Sequence, residues 1–363
     1  MNRRRPEQFD LAEGWTWIGH SFEGTVPATS LLYNEGVERI VGQSAEAGYN
    51  AEGRIEGILE MLSPVTLYKV KTDRQLVTGL VNGLIRNDLE PVGLQRGWNW
   101  IGNFLGYGAG LHFANAENGD FIGGQEGFAI FDGTEWIGTL YGMEAQRGYI
   151  YRSESDKQIV YPSERLTGTP ARVAGESEVN PHDYPQLMAV VTSLVDDHGV
   201  KLAPDSHEVS AYCGDDLRGV GRVVNGLVMM SVYGTTGEDI IVKVAPRDYP
   251  TDRNAIAKLT FGETLLGNLN EPVLLNVDNL LGIPTVGYGF QPKAEVSQRI
   301  LRIHGIDLTM CERIEMFDGM GRRVMSEPTI PAGGHSVASL PDGVYIVTVT
   351  AFGTTTRHKV IID

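Results

Sequence analysis

A six-residue motif occurs twice near the start of the chain, and this duplication constrains the fold more than any other feature of the sequence. Gly14-Trp15-Thr16-Trp17-Ile18-Gly19 recurs 83 positions later as Gly97-Trp98-Asn99-Trp100-Ile101-Gly102. The match continues at an offset of 82 through the pairs Gly42-Gln43 with Gly124-Gln125, Tyr49 with Phe131, Ile55 with Ile137, and Met61 with Met143. Such self-similarity predicts two copies of one supersecondary unit, which we place at residues 1–82 and 83–160.

The order of the predicted elements is the same in both copies. A Trp-rich strand comes first, followed by a short apolar stretch at 27–33 or 111–116 that we interpret as one or two helical turns. Strands separated by Gly or Asp turns come next, and each copy closes on a Tyr-bearing strand at 67–70 or 149–151. The sequence therefore predicts two related β-rich repeat units with short helices.

Trp98 and Trp100 are candidate binding residues, because residues two apart lie on one face of a strand. Exposed aromatic rings offer a large, rigid apolar area on which sugar rings can stack. The alternative is that these indoles form the core of a small sandwich, which we favour because glycines flank the pair in both copies. Trp136 is the better candidate for an exposed contact, since the first copy has Arg54 at the equivalent position.

The second copy resembles a repeat found in large surface proteins of bacteria that have a type IX secretion system. The resemblance is carried by Gly97–Gly102, Gly127-Phe128-Ala129, Trp136-Ile137-Gly138-Thr139-Leu140 and Gly148-Tyr149. It implies a surface context and supplies no catalytic role.

Composition and charge narrow the class of protein. The 45 Gly and 17 Pro among 363 residues suit many short strands and tight turns. Residues 288–363 contain eight basic and eight acidic residues, so the net charge of −16 belongs to the rest of the chain. An acidic body argues against nucleic-acid binding. No apolar run reaches the roughly 18 residues that span a membrane. The basic start lacks the apolar segment of a signal peptide, so we interpret the chain as the C-terminal part of a longer protein.

The middle of the chain predicts a linker and a further β domain. Residues 161–182 are rich in Pro, Gly, Ser, Thr and Glu, as linkers are. Regularly spaced short strands at 183–283 predict a β-sandwich. Its turn Ala211-Tyr212-Cys213-Gly214-Asp215-Asp216-Leu217-Arg218-Gly219 resembles that of a domain often found before a C-terminal sorting domain. We expect Arg218 to pair with Asp215 or Asp216. Calcium binding by these aspartates with Asp205 and Glu208 is the alternative, but their spacing does not match an EF-hand loop.

The last part of the chain, residues 288–363, alternates apolar residues with turn signals. Ile314, Met316 and Val324 bracket Asp318-Gly319-Met320-Gly321, which is typical of a hairpin. Leu340-Pro341-Asp342-Gly343 predicts a second turn before another β-rich run.

This ending resembles the C-terminal sorting domain of type IX secretion cargo. The motif residues that carry the resemblance are Asp318, Gly321, Arg322, Leu340, Gly343, Tyr345 and Lys359. The resemblance implies an Ig-like β-sandwich whose partner is the secretion machinery at the outer membrane. One departure is the ending Ile361-Ile362-Asp363, where family members often finish on a basic residue.

Motifs for catalysis are absent from the sequence. There is no Gly-x-Ser-x-Gly elbow, phosphate-binding loop or His-Glu-x-x-His zinc motif. Cys213 and His207 invite a Cys–His dyad interpretation, but six residues along an extended strand separate them too far. Cys213 and Cys311 lie in different predicted domains, so we expect buried thiols and no disulfide.

We therefore predict a mostly β protein: two related β-rich repeat units with short helices, followed by two Ig-like β-sandwich domains. The predicted function is that of a non-catalytic secreted or cell-surface modular protein, extracellular or anchored at the outer membrane. Its upstream modules are expected to bind glycan or a host or cell-surface protein, without a cofactor or metal. The alternative is the accessory C-terminal region of a larger secreted protease or glycosidase whose catalytic domain precedes Met1.

Overall fold

The computed structural model describes residues 4–84, 90–105, 107–161, 179–247, 254–262, 264–278, 293–304, 308, 311–331, 333–351 and 354–362. They belong to two compact units, Met1–Thr285 and Val286–Asp363. Strands make up nearly all of the regular structure, which confirms the mostly β class. Within these described ranges, no helix is long and apolar enough to cross a membrane. Most of the predicted linker at 161–182, and Asp363 at the end of the chain, lie outside them.

The first repeat contains a five-stranded antiparallel sheet and two two-stranded ribbons. Its elements are β1 (Arg4–Leu11), β2 (Gly14–Ile18), β3 (Val26–Pro27), α1 (Thr29–Leu32), β4 (Val37–Val41), β5 (Glu46–Tyr49), β6 (Ile55–Gly57), β7 (Met61–Leu62), β8 (Tyr68–Thr72) and β9 (Leu76–Leu84). The sheet has the spatial order β2-β8-β4-β5-β6, and the ribbons pair β1 with β9 and β3 with β7. The predicted helical turn at 27–33 is confirmed as α1, which buries Leu31 and Leu32.

The second repeat has the same sheet topology. Its strands are β10 (Val92–Leu94), β11 (Gly97–Gly102), β12 (Phe121–Gly124), β13 (Gly127–Phe131), β14 (Trp136–Gly138), β15 (Gly148–Ser153) and β16 (Lys157–Ile159). The order β11-β15-β12-β13-β14 matches that of the first repeat, which confirms two related units. The helical turn predicted at 111–116 is wrong. The Phe113 N–H donates to the Leu111 carbonyl and Ala114 bridges to Val160, so this segment is bent and irregular.

The two repeats meet backbone to backbone at the glycines that end their Trp-rich strands. A Cβ on Gly19 would lie 2.5 Å from the Gly102 Cα, and a Cβ on Gly102 would lie 2.9 Å from the Gly19 Cα. Real Cβ atoms essentially never approach that closely, so only glycine permits this contact. The duplicated motif therefore carries glycine at this position for packing between the copies.

Two equivalent glutamines hold each repeat to the other. Gln43 donates to the Trp98 carbonyl at 3.0 Å and accepts from the Trp100 N–H at 3.1 Å. Gln125 donates to the Trp15 carbonyl at 2.6 Å and accepts from the Trp17 N–H at 3.1 Å. Each amide thus satisfies two backbone groups on the Trp-rich strand of the other copy. The same two hydrogen bonds therefore run in both directions across the interface.

The middle domain is a β-sandwich whose two sheets are joined by one long strand that takes part in both. Its elements are a 3-10 helix (Pro181–Asp183), β17 (Gln186–Val195), β18 (His207–Cys213), β19 (Asp216–Val224), β20 (Leu227–Gly234), β21 (Asp239–Pro246), β22 (Asn254–Thr260), β23 (Leu265–Leu266) and β24 (Val273–Asn276). The strand order is β22-β21-β18-β19-β20-β17-β23, with β24 also on β17. β19 pairs with β18 through its first half and with β20 through its second, as a strand at a sandwich corner does.

The second repeat packs against the middle domain. Phe121, Phe128 and Ile150 belong to one buried cluster with Leu187 and Met229. The opposite face of the repeat's sheet forms its own core, which includes Ile122, Ala129 and Tyr151. Because both faces of this sheet are covered, the second repeat lies inside the first compact unit and most of its strand residues are buried.

The C-terminal unit is a separate two-sheet sandwich. Its strands are β25 (Lys293–Ser297), β26 (Ile300–His304), β27 (Cys311–Phe317), β28 (Arg323–Glu327), β29 (His335–Ser336), β30 (Gly343–Ala351) and β31 (Thr354–Ile362). The sheets have the orders β25-β26-β29 and β28-β27-β30-β31. Leu301 and Ile303 from the smaller sheet share one core with Ile314, Met316 and Val347 from the larger. This unit is thus a two-sheet β-sandwich, as the sequence predicts.

Candidate functional site

An open trough of about 1020 Å³ covers the outer face of the four-stranded sheet in the C-terminal unit. Its lining includes three residues of the motif at the end of the chain, Asp318, Gly321 and Lys359. Strand alternation creates this face. On β30, Tyr345 and Val347 point into the sandwich core, whereas Val344 and Ile346 are exposed.

The trough combines an apolar floor with basic side chains. Phe317, Val344 and Ile346 supply the apolar surface. Arg313, Arg357 and Lys359 also line it. Among the residues that the structure describes, Arg313, Arg357 and Lys359 form no ion pair. The acidic residues of the lining are engaged: Glu315 pairs with Arg323 at 2.8 Å and Asp318 pairs with Arg322 at 2.8 Å. The unpaired charge of the trough is therefore positive.

A buried hydroxyl lies in the same wall. The Thr348 side chain is only 7% exposed, and its Oγ1 has no hydrogen-bond partner in the described part of the chain. A buried polar atom without a partner is costly, and a ligand's donor or acceptor could satisfy it. The trough thus offers apolar contact, positive charge and one unused polar group.

Asp318 organises the turn at one end of the trough. Its Oδ1 accepts from the Met320 N–H and the Arg322 N–H, both at 2.9 Å, and its Oδ2 accepts from the Arg322 side chain. The backbone hydrogen bond from Arg322 lowers the pKa of Asp318, and the Arg322 guanidinium lowers it further. Gly321 takes the left-handed conformation, with φ of +77°, that the turn requires. The predicted hairpin is present, between β27 and β28.

The other motif residues build the turn that leads into β30. The Tyr345 hydroxyl donates to the Pro341 carbonyl at 2.8 Å. Arg299 donates to the Leu340 carbonyl at 3.0 Å and forms an ion pair with Asp342. Gly343 is the first residue of β30, and Lys359 lies opposite Ile346 on β31. The sequence did not reveal the contact of Arg299 with this turn, because Arg299 lies about forty residues before its partners.

The three candidate tryptophans do not form one platform. Trp98 and Trp100 pack against the cluster shared with the middle domain, whereas Trp136 packs against the core on the other face of the sheet. All three are half-buried. Trp136 meets Phe113, Phe131 and Tyr151 at ring-centroid distances of 5.9, 5.4 and 6.0 Å.

Trp100 takes part in contact between the repeats. The Lys69 ammonium lies 4.6 Å from the Trp100 ring and 4.3 Å from the Trp17 ring. Lys69 is buried, so this double cation–π contact is shielded from water and strengthens the interface. The position of Trp100 fits the core role that we favoured for the pair.

The middle domain contains the predicted Arg218 pair within a larger network. Arg218 donates to Asp216 at 2.9 Å, as predicted, and to Glu238 at 2.8 Å. Burial would raise the pKa of Glu238, but hydrogen bonds from Arg218 and the Thr235 N–H outweigh burial and lower it. Burial, then the hydrogen bond to Asp216, raise the pKa of Tyr184 to about 12. This network is structural, since Arg218 is almost fully buried and its donors are used.

The suggested catalytic and metal residues are dispersed in the middle domain. His207 and Cys213 begin and end the same strand, β18, which separates them by roughly 20 Å at about 3.3 Å per residue. Asp205, Glu208, Asp215 and Asp216 do not come together as a set of ligands among the described residues. The expectation of buried thiols is wrong, since Cys213 and Cys311 are each only half-buried.

Comparisons with known proteins give distant similarities only. No family model matches the chain, and no curated protein is similar to it. Among solved structures, the 47-kilodalton lipoprotein Tp47 of Treponema pallidum is 9% identical, with 98% of this chain and 100% of that chain covered and a TM-score of 0.20. A biofilm-associated protein BSP domain is 11% identical over 98% of this chain and 62% of that chain, with a TM-score of 0.16. The Bacillus anthracis TIE protein is 11% identical over 98% and 67%, with a TM-score of 0.17.

Proposed function

We propose that this chain is a non-catalytic secreted or cell-surface modular protein whose C-terminal unit is recognised for export and anchoring by type IX secretion machinery. The observation that carries the proposal is the trough on a separate compact unit, with Asp318, Gly321 and Lys359 of the sorting-domain motif in its lining. A recognition module needs an exposed surface on a part of the chain that keeps its own core, and residues 286–363 have both.

The chemistry of the trough suggests how recognition operates. Its apolar floor can bury side chains of a partner, while Arg313, Arg357 and Lys359 attract acidic groups on that partner. The Asp318 turn fixes one end of the surface through its hydrogen bonds to Met320 and Arg322. Substitution of the basic residues should therefore weaken recognition without unfolding the unit.

Glycan or protein binding by the repeats is the second part of the proposal. Trp136 is its best-placed residue, because it is half-exposed at the edge strand of the second sheet. A glycan-array screen of the full chain against a Trp136→Ala variant tests this part. Binding that is absent from the wild type, or unchanged in the variant, would exclude Trp136 as the contact.

Export is tested in a bacterium with an active type IX system. The chain is expressed behind a secretory signal peptide, and surface exposure is measured on intact cells by antibody labelling and protease accessibility. We expect display of the full chain, its loss when 286–363 are removed, and a clear reduction for the triple variant Arg313→Ala, Arg357→Ala, Lys359→Ala.

The matched control replaces three exposed cations outside the trough, Arg54, Arg74 and Lys258, in the same way. It should leave display unchanged, because these side chains lie in the first compact unit. Display of the chain without 286–363, or equal display in a strain without the secretion system, would refute the proposed role of the C-terminal unit.

A further inference from the structure

A buried lysine and a buried aspartate lie side by side in the second repeat. Asp120, which immediately precedes β12, is fully buried, and the Lys157 side chain at the start of β16 is only 7% exposed. The Lys157 Nζ lies 2.5 Å from the Asp120 Oδ2. The second repeat thus encloses a primary amine and a carboxyl group within bonding reach of each other.

The two oxygens of Asp120 have different surroundings. Oδ1 accepts from the Glu154 N–H at 2.9 Å. Oδ2, the oxygen beside the amine, accepts from the Tyr151 hydroxyl at 2.7 Å and from the Glu117 N–H at 2.9 Å. Burial, and then the neighbouring Asp120 charge, raise the pKa of Tyr151, so its hydroxyl remains a donor. Oδ1 therefore has the single N–H donor that a carbonyl oxygen would have. Oδ2, which has two donors beside the amine, is placed to leave as water.

A second carboxylate lies beside the amine. The Glu117 Oε2 is 3.4 Å from the Lys157 Nζ, and the Ser155 hydroxyl donates to Glu117 at 2.8 Å. Glu117 is half-exposed, unlike Asp120, so it can exchange protons with water. It is placed to accept a proton from the amine and to return it to a leaving oxygen.

We propose that Lys157 and Asp120 join in an intramolecular isopeptide bond, with Glu117 as the proton carrier. One proton passes from the Lys157 ammonium to the Asp120 Oδ2, which leaves a neutral amine and a neutral carboxylic acid. The Nζ lone pair then attacks Cγ, with negative charge on Oδ1 stabilised by the Glu154 N–H. A second proton passes from nitrogen to Oδ2, the Cγ–Oδ2 bond breaks with its electron pair on oxygen, and water leaves. The products are one amide and one water, without an oxidant or a co-reactant.

Burial and proximity favour this condensation. The Asp120 carboxyl accepts from Tyr151, whose ring contacts those of Phe113 and Trp136 edge to face. Two charges in such surroundings carry a large desolvation penalty, and a neutral amide removes it. Groups held at reacting distance also have effective concentrations of order 10⁵–10⁸ M in favourable cases. In water the same condensation of separate molecules would run towards hydrolysis.

Intact mass spectrometry of the purified full chain under denaturing conditions tests the proposal. The wild type should be lighter than its sequence by one water, and a chymotryptic digest should yield a branched peptide that contains both Asp120 and Lys157. Lys157→Arg should have its full sequence mass. Glu117→Gln should fold, as judged by circular dichroism, and lose or greatly slow the mass change.

A control separates this bond from other losses of water. Asp132-Gly133, Asp318-Gly319 and Asp342-Gly343 can cyclise to succinimides, which have the same mass deficit. That deficit would persist in Lys157→Arg, and its persistence there would overturn the proposal. A wild type at full sequence mass after prolonged incubation would overturn it as well. Lys71→Arg, in the exposed Glu38–Lys71 pair of the first repeat, should leave the deficit unchanged.

Discussion

The two repeats share one sheet topology but differ in what they bury. In both repeats a tyrosine hydroxyl accepts a hydrogen bond from a backbone N–H. The Ser63 N–H donates to Tyr68 at 2.6 Å, and the Glu144 N–H donates to Tyr149 at 2.7 Å. The second repeat is covered on both faces and has the enclosed Asp120–Lys157 pair. In the first repeat Glu38, at the position that corresponds to Asp120, pairs at 2.8 Å with Lys71, and both side chains are nearly half-exposed. By strand register Lys71 corresponds to Arg152 and not to Lys157. The same sheet topology thus accommodates a buried charged pair in one repeat and an exposed charged pair in the other.

The difference shows which shared residues define the fold. Glycines at the contact between the repeats and the two reciprocal glutamines occur in both copies, because each copy needs them to meet the other. Trp136 and Arg54 occupy equivalent positions with opposite chemistry, since only the second repeat has Phe113 and Tyr151 to cover an indole. Residues that form the interface are matched, and residues that face different surroundings have diverged.

The largest expected contrast is between removing the buried partner of Lys157 and removing the exposed partner of Lys71. Asp120→Ala should lower the free energy of unfolding by about 3–5 kcal/mol, because it leaves Lys157 as a buried charge without its partner. Glu38→Ala should lower it by less than about 1 kcal/mol, since an exposed pair contributes little. Urea denaturation followed by fluorescence measures both. Equal effects would contradict the distinction between the repeats.

The contact between Gly19 and Gly102 should be the next most sensitive feature. Gly19→Ala or Gly102→Ala should each destabilise the protein by about 2–3 kcal/mol, because a methyl group would force two backbones apart. The double variant should be less damaging than the sum, since one separation relieves both clashes. Gly24→Ala is the control, as a Cβ there meets nothing within 4 Å. Thermal unfolding of the four proteins would reveal additive losses if the glycines were independent.

The two glutamines should differ by a smaller amount. Gln125→Ala should cost about 1–2 kcal/mol, because Gln125 is half-buried and its loss leaves backbone groups of Trp15 and Trp17 unsatisfied. Gln43→Ala should cost less than about 1 kcal/mol, since Gln43 is exposed and water can replace its amide. Equilibrium denaturation measures the loss in free energy of unfolding for each variant. A larger loss for Gln43→Ala would contradict our conclusion that the Gln125 contact is the more buried of the two.

The smallest expected effect is a dependence on pH that comes from His20 in the first repeat. Burial lowers the pKa of His20, whose Nε2–H donates to the Leu62 carbonyl while Nδ1 accepts from the Phe22 N–H. The unfolded chain binds a proton more readily, so the stability contributed by neutral His20 is present above the unfolded pKa of about 6.5 and is lost as the pH falls through the folded pKa.

His20→Asn is the matched variant for this effect. Asn103 occupies the equivalent position in the second repeat and makes the same two kinds of hydrogen bond, to the Glu144 carbonyl and from the Leu105 N–H. The variant should remain folded and show a flatter dependence of stability on pH between 5 and 7. An unchanged dependence would assign the acid sensitivity to other groups.

Much of the fold follows from local patterns in the sequence. The duplicated motif, the alternation of apolar residues and the turn residues around Asp318 and Gly321 predict strands and hairpins that the structure contains. The helical turn at 111–116 was predicted wrongly, because apolar content alone does not separate a helix from an irregular segment that packs into a core. Phe113 is buried there among aromatic rings without helical structure.

Contacts between residues far apart in the chain could not be predicted from the sequence. Gln43 and Gln125 were recognised as equivalent, but their partners on the other repeat depend on how the copies pack. Asp120 and Lys157 lie 37 positions apart on different elements, and neither belongs to a motif. Arg218 was matched to the nearby Asp216, whereas Glu238 approaches it only through the sandwich. For the trough, the motif indicated the turn residues but not Arg313 or Thr348, which join it through strand register.

The reciprocal glutamines also limit how a chain of such repeats can grow. Each repeat binds the other through the same surface, its glutamine and its Trp-rich strand, so this surface is buried once two repeats have paired. In a pair of repeats both of these surfaces are occupied, so neither can bind a third repeat in the same way. A longer protein of this type would add repeats in even numbers, and an unpaired copy would leave the carbonyl and the N–H of its Trp-rich strand to be hydrated by water.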